Sequence, residues 1–213
     1  MFPPIFPISF EFLSPLRPYG CLIWLAGVIF LWLTRYTHYL GRKWKSLYYI
    51  VSSVIRPLGI LLIALGWLAL YAPQGPAFLS QPLAWLPAGE PVEVLLWVAI
   101  ASFFALGVWS VVVLGVRQSF LYRHVDDPLI TRGPYAIVRH PQFLSAIGMT
   151  FFVTRIFNPN EFWYKPSNVL EANWLLFSLS LLILAILEDR ELATHFGVEY
   201  EEYVHKVPRL FPN

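Results

Sequence analysis

Gly133-Pro134-Tyr135-Ala136-Ile137-Val138-Arg139-His140-Pro141-Gln142-Phe143 sets a polar Arg-His pair at the mouth of an apolar segment. Pro141 suits the first position of a helix, where its missing N–H costs nothing, and everything from Gln142 to Phe157 can run into a bilayer. A cation and an imidazole at a membrane boundary, preceded by a Gly-Pro turn, could hold a charged ligand against a lipid-embedded target. The same residues also suit a plainer use, with Arg139 as one more cytoplasmic anchor and His140 as a cap.

Outward from that stretch, the chain is 57% hydrophobic and only 13% charged over 213 residues, which excludes an ordinary soluble domain. Apolar stretches at 20–38, 57–72, 93–116, 141–157 and 172–187 are each long enough to cross a hydrocarbon core of about 30 Å. The expected fold is therefore all-α, a polytopic membrane protein with about five transmembrane helices. Basic residues in short loops resist translocation, so their positions set the orientation. Arg35, Arg42, Lys43, Lys45 and Arg56 border the first connection, Arg117, Arg123, Arg132 and Arg139 the third, and Arg190, Lys206 and Arg209 the tail. Only Arg17, Arg155 and Lys165 lie on the other side. This asymmetry places the N-terminus outside and the C-terminus in the cytoplasm, as in a bacterial inner membrane.

The single cysteine, Cys21, excludes an intrachain disulfide. The N-terminal Met-Phe-Pro-Pro-Ile-Phe-Pro stretch lacks a basic leader region and reads as an interfacial arm rather than a signal peptide. A net charge of +2, already accounted for by topology, gives no reason to expect nucleic acid as a partner. No long Gly/Ser linker interrupts the chain, so 1–213 reads as one membrane domain. Its character changes near residue 117: residues 1–116 look like scaffold helices, whereas downstream the polar residues gather in two cytoplasmic segments, 117–141 and 188–213.

In the second of these, residues 188–196 keep apolar positions at helical spacing and Gly197 offers a stop. Tyr200, Tyr203 and Val207 follow at i, i+3 and i+7, which gives a C-terminal amphipathic helix one aromatic face. That face suits the membrane surface, a fold over the first cytoplasmic segment, or an ordinary surface helix. Glu188 is the acidic residue to single out, because it stands where the fifth apolar stretch ends. A carboxylate at the end of a helix meets the unfavourable end of the helix dipole, so a hydroxyl or cation partner would help to hold it. His124, His140, His195 and His205 show no metal-ligand spacing and no metal is expected. Nucleotide-binding motifs of soluble folds, GxGxxG and the Walker loop among them, are absent from the sequence.

Gly133-Pro134-Tyr135-x-x-Val138-Arg139-His140-Pro141-x-Phe143 is followed, some 45 residues on, by Glu188-Asp189-x-x-Leu192-x-x-x-Phe196-Gly197-x-x-Tyr200-x-x-Tyr203-x-x-x-Val207-Pro208-Arg209. Together these resemble the isoprenylcysteine carboxyl methyltransferase family and its bacterial relatives that methylate lipids or small thiols. The resemblance runs over residues 117–213. It implies a fold whose C-terminal half wraps S-adenosylmethionine in a cytoplasmic pocket while a lipophilic acceptor, a membrane lipid or a small molecule, enters from the bilayer. It makes Pro128, Leu129, Ile130, Tyr135, His140, Pro141, Gln142 and Phe143 the cofactor wall and Glu188 the cofactor-binding carboxylate, with Gln118 as a further polar contact.

This sequence departs from the family in having Phe143 for a Tyr, Ser145 for a Gly and Asp189 for the second of two Glu. Leu184 stands where the prenylcysteine enzymes carry an Arg assigned to the substrate. With Phe177, Leu184 and Leu187 forming a wholly apolar face, a carboxylate acceptor would lose a contact worth about 1.5–3 kcal/mol. The resemblance implies direct in-line methyl transfer, which depends on alignment, so no catalytic residue is assigned. Two rivals share parts of the pattern. An NADPH-dependent reductase of the sterol-reductase type shares the Tyr-x-x-Tyr-x-x-x-Val-Pro-Arg tail but would need clustered basic residues that the tail lacks. A non-catalytic subunit of a membrane protein complex suits the nine Trp and 17 Phe, which offer a large lipid or partner surface.

Overall fold

The computed structural model describes residues 15–16, 19–41, 45–71, 91–121, 127–157 and 168–210. The N-terminal arm, the Pro/Gly-rich loop at 72–90 and the segment at 158–167 lie outside them. Five long helices account for the apolar stretches: α1 (Gly20–Gly41), α2 (Lys45–Tyr71), α3 (Pro91–Leu114), α4 (Pro141–Phe157) and α5 (Asn168–Phe196). A short α6 (Val198–Lys206) follows. Tyr49–Leu70, Val94–Leu114 and Ala172–Phe196 are long and apolar enough to cross a membrane, and Gly20–Leu33 and Pro141–Thr154 are shorter apolar helices. This is an all-α polytopic membrane protein.

Two helices differ in extent from the apolar stretches that announce them. α2 begins at Lys45 rather than at Pro57, so the proline lies inside the helix. Transmembrane helices tolerate an internal Pro because neighbouring groups re-satisfy the freed carbonyl. α5 runs past the charged Glu188-Asp189-Arg190-Glu191 segment to Phe196, and Gly197, with φ +54°, turns the chain where the sequence offered a stop. Glu188 is therefore about two turns from the helix end, outside the reach of the terminal dipole.

Contacts gather the chain into two compact units: Met1–Trp97 with Arg155–Leu170, and Val98–Thr154 with Glu171–Asn213. In the first, α1 and α2 meet backbone to backbone along a glycine seam. A Cβ at Gly27 would lie 2.5 Å from the Gly59 carbonyl, and one at Gly66 would lie 2.5 Å from the Trp24 nitrogen. Without the hydrophobic effect to drive association inside lipid, such close approach is what packing requires. Trp24 and Val28 are buried, while Leu22, Leu25, Ile29 and Leu33 stand exposed at helical spacing on the opposite side of α1, the pattern of a lipid-facing stripe.

In the second unit, α3 and α4 use the same device with the roles exchanged. Ser145 Oγ donates to the Phe103 carbonyl at 2.6 Å, and it fits because residue 107 is glycine: a Cβ there would lie 2.5 Å from Ser145 Oγ. Gly148 leaves room for the Phe103 ring, which stacks on Phe152. Ser145 is thus accommodated by a glycine on the facing helix. α4 meets α5 through Trp174, whose indole N–H donates to the Ile147 carbonyl at 3.1 Å and whose ring packs on Phe151. Between α3 and α4, a π-helical turn (Arg117–Leu121) and a 3-10 turn (Gly133–Ala136) carry the chain. An Arg117–Asp127 ion pair at 2.6 Å ties the start of this connection to the segment leading to Gly133.

A carboxylate that joins the two polar segments

Gly133, at φ +62°, followed by Pro134 at the first turn position, directs the chain into the 3-10 turn and buries Pro134, Tyr135 and Val138. Arg139 and His140 then run alongside the tail: the Arg139 N–H donates to the Pro208 carbonyl at 2.9 Å and the His140 N–H to the Arg209 carbonyl at 3.1 Å. Pro141 starts α4, as its position in the motif predicts.

The side chains converge on Asp189 from α5. Its Oδ1 lies 2.7 Å from His140 Nε2 and accepts from the Tyr200 hydroxyl at 2.5 Å. Its Oδ2 accepts from Arg139 Nη1 at 2.8 Å and from Arg209 Nε at 2.6 Å. Charged groups so buried persist only when paired and fully hydrogen-bonded, and here one carboxylate meets four partners drawn from both sequence motifs. His140 reaches a second carboxylate as well, with Nδ1 3.5 Å from Glu188 Oε2, and its ring lies parallel to Phe143 at 5.5 Å. Burial lowers the pKa of His140, but the hydrogen bonds and charges of Asp189 and Glu188 outweigh it and hold the imidazole above its ordinary value. Burial, reinforced by Asp189, pushes the Tyr200 hydroxyl well up and keeps it protonated.

α6 folds over the first polar segment, one of the uses its aromatic face allowed. Tyr200, Tyr203 and Val207 form a buried cluster against Leu129, Leu192 and Phe196, and the Tyr203 hydroxyl donates to the Tyr135 carbonyl at 2.6 Å.

Of the residues singled out from sequence, His140, Phe143 and Glu188 come together around one imidazole. Tyr135 and Leu129 meet α6, Pro141 is fully buried beneath the turn, and Gln142 donates to Ser119 Oγ at 2.8 Å. Ile130 is half-buried and Pro128 exposed. Asp189, Tyr200 and Arg209 carry no site role in the sequence reading, and Arg139 enters it only as a cation for a charged ligand, although all four stand within the two motifs. Glu188 and Asp189 divide the work by burial: the Asp189 side chain is 9% exposed, that of Glu188 30%. Glu188 is thus the more exposed carboxylate of the pair.

Among curated proteins, the chain is 30% identical over 181 residues to methanethiol S-methyltransferase 2 of Bradyrhizobium diazoefficiens. The match takes in 79% of this chain and 59% of the relative, so it spans less than two thirds of that protein's length. No family model matches the chain, and no solved structure matches it.

Proposed function

We propose that the protein is an integral membrane methyltransferase that uses S-adenosylmethionine and methylates a neutral, thiol-bearing or lipophilic acceptor, with its C-terminal half facing the cytoplasm. The observation that carries this reading is the closure of both methyltransferase-like motifs on one carboxylate, Asp189, with the more exposed Glu188 beside it on the same imidazole. The similarity to a methyltransferase of methanethiol supports the same reaction class.

The residues fit the cofactor chemically. A sulfonium and two ribose hydroxyls favour a carboxylate, which Glu188 offers, and an aromatic face, which Phe143 offers. When bound, the cofactor supplies a methyl group activated by the positive sulfur. The protein's share is alignment and exclusion of water, which for an in-line displacement carries much of the barrier reduction. The acceptor side supports a neutral partner: Phe177, Leu181 and Leu184 are buried on one face of α5, and an unpaired carboxylate among them would be costly.

Calorimetry of the purified protein with S-adenosylhomocysteine tests the reading, with NADPH in parallel. Binding of S-adenosylhomocysteine alone is expected. Binding of NADPH alone would make the protein a reductase, and silence from both would favour a non-catalytic subunit.

A further inference from the structure

We propose that His140 is a bridging cation, protonated on both ring nitrogens, and that Asp189 is the positioning residue that holds it there so that its Nδ1–H fixes the Glu188 carboxylate. The assignment of Glu188 to the methyl donor rests on the function proposed above; the protonation of His140 does not. The argument begins from hydrogen-bond inventory. Nε2 faces Asp189 Oδ1 at 2.7 Å and Nδ1 faces Glu188 Oε2 at 3.5 Å. Ionised carboxylates only accept. A neutral imidazole has one N–H, so it would turn a lone pair toward one of the two oxygens, whereas the imidazolium offers a donor to both. Its parallel stacking on Phe143 also suits a delocalised cation.

The groups facing His140 pull in both directions. From α5, Asp189 and Glu188 favour its charge. From its own segment Arg139, and from the tail Arg209, oppose it, but both guanidinium groups bond Oδ2 and leave Oδ1 to His140 and to the Tyr200 hydroxyl of α6. This division matters for the chemistry. An imidazolium has no lone pair, so His140 takes no proton from an acceptor, and its effect on the donor is exerted through the orientation of Glu188.

It also gives opposite signs for two substitutions. Asp189→Asn removes the charge that retains the proton and lowers the His140 titration midpoint. Tyr200→Phe removes a competing donor from Oδ1, strengthens the bond from His140 and raises the midpoint. A merely structural role would make both variants less stable without moving the midpoints apart.

The test is nitrogen NMR of the full chain labelled at histidine, in detergent or bilayers and without cofactor, with His140→Gln to assign the signal. Two protonated ring nitrogens are expected at neutral pH, with a midpoint that rises in Tyr200→Phe and falls in Asp189→Asn. One protonated nitrogen in the wild type, or midpoints that move together, would overturn the bridge. Should Asp189→Asn fail to fold, the wild-type spectrum and the Tyr200→Phe shift still decide. S-adenosylhomocysteine affinity, measured over the same pH range, should weaken as pH rises through the His140 midpoint and follow that midpoint in Tyr200→Phe. Affinity flat across the midpoint would refute the link from His140 to Glu188. A wild type that binds no S-adenosylhomocysteine while its histidine titrates as expected would remove the proposed function and leave the bridge standing.

Discussion

Adjacent carboxylates with different duties illustrate how far one residue number can carry. Asp189 joins four side chains and Glu188 touches His140 from a half-exposed position. Asp189→Ala should lower stability by about 3–5 kcal/mol, because it leaves Arg139 and His140 buried without their counter-charge. Glu188→Ala should leave the unfolding midpoint nearly unchanged and weaken S-adenosylhomocysteine by about 1–3 kcal/mol, while the exposed Glu202→Ala does neither. Thermal unfolding beside calorimetry separates the cases, and equal losses at Glu188 and Glu202 would mean that no site has been found. His140 adds a pH dependence. Its pKa is raised on folding, so its contribution is complete below its ordinary value of 6.5 and is lost as pH rises through the folded value. Wild-type protein should therefore lose stability relative to His140→Gln on alkalinisation above about pH 6.5. The sequence singled out Glu188 and left Asp189, the carboxylate that gathers the partners, without a role. Successive helix residues point about 100° apart, and only the packed register of α5 decides which one faces Arg139 and Arg209.

At the scale of elements, hydrophobic extent located all five long helices, and Pro141 and Gly197 marked a start and a stop that the chain uses. Residues 45–56 escaped because a helix continues through charged residues once it leaves the apolar layer, so apolarity marks the span and not the helix. The glycine seam between α1 and α2 was invisible for another reason: Gly27, Gly59 and Gly66 read as ordinary members of apolar runs until the helices are placed against each other. Their value is testable by contrast. Gly66→Ala puts a Cβ 2.5 Å from the Trp24 backbone nitrogen, which cannot yield as a flexible side chain would, and should cost about 1–3 kcal/mol. Gly197→Ala meets nothing within 4 Å and should cost only the left-handed penalty of about 1–2 kcal/mol. Reversing the Gly197 turn to a right-handed one would extend α5 straight into α6 and remove Tyr200 from Asp189, so cofactor affinity is the more sensitive readout there.

For the molecule as a whole, the methyl donor and the acceptor impose one joint requirement: the Asp189 group must face the compartment that supplies S-adenosylmethionine while the acceptor reaches it from the bilayer. Leu184→Arg tests the acceptor half. Wild-type protein should methylate a neutral thiol in preference to a prenylcysteine acid, and the variant should shift that ratio toward the acid, since Leu184 and Phe177 are buried together on α5. Efficient turnover of the acid by the wild type would place its counter-charge elsewhere. The distribution of basic residues tests the donor half. With Cys21 replaced by Ala, a cysteine at Gly75 should react with an impermeant reagent added outside, and one at Lys206, the last residue of α6, only after the membrane is opened. Labelling of Lys206 alone from outside would invert the protein. Arg139, His140, Asp189 and Arg209 would then all lie on the side away from the cytosolic donor, because the contacts among them bind both motifs to the same membrane face.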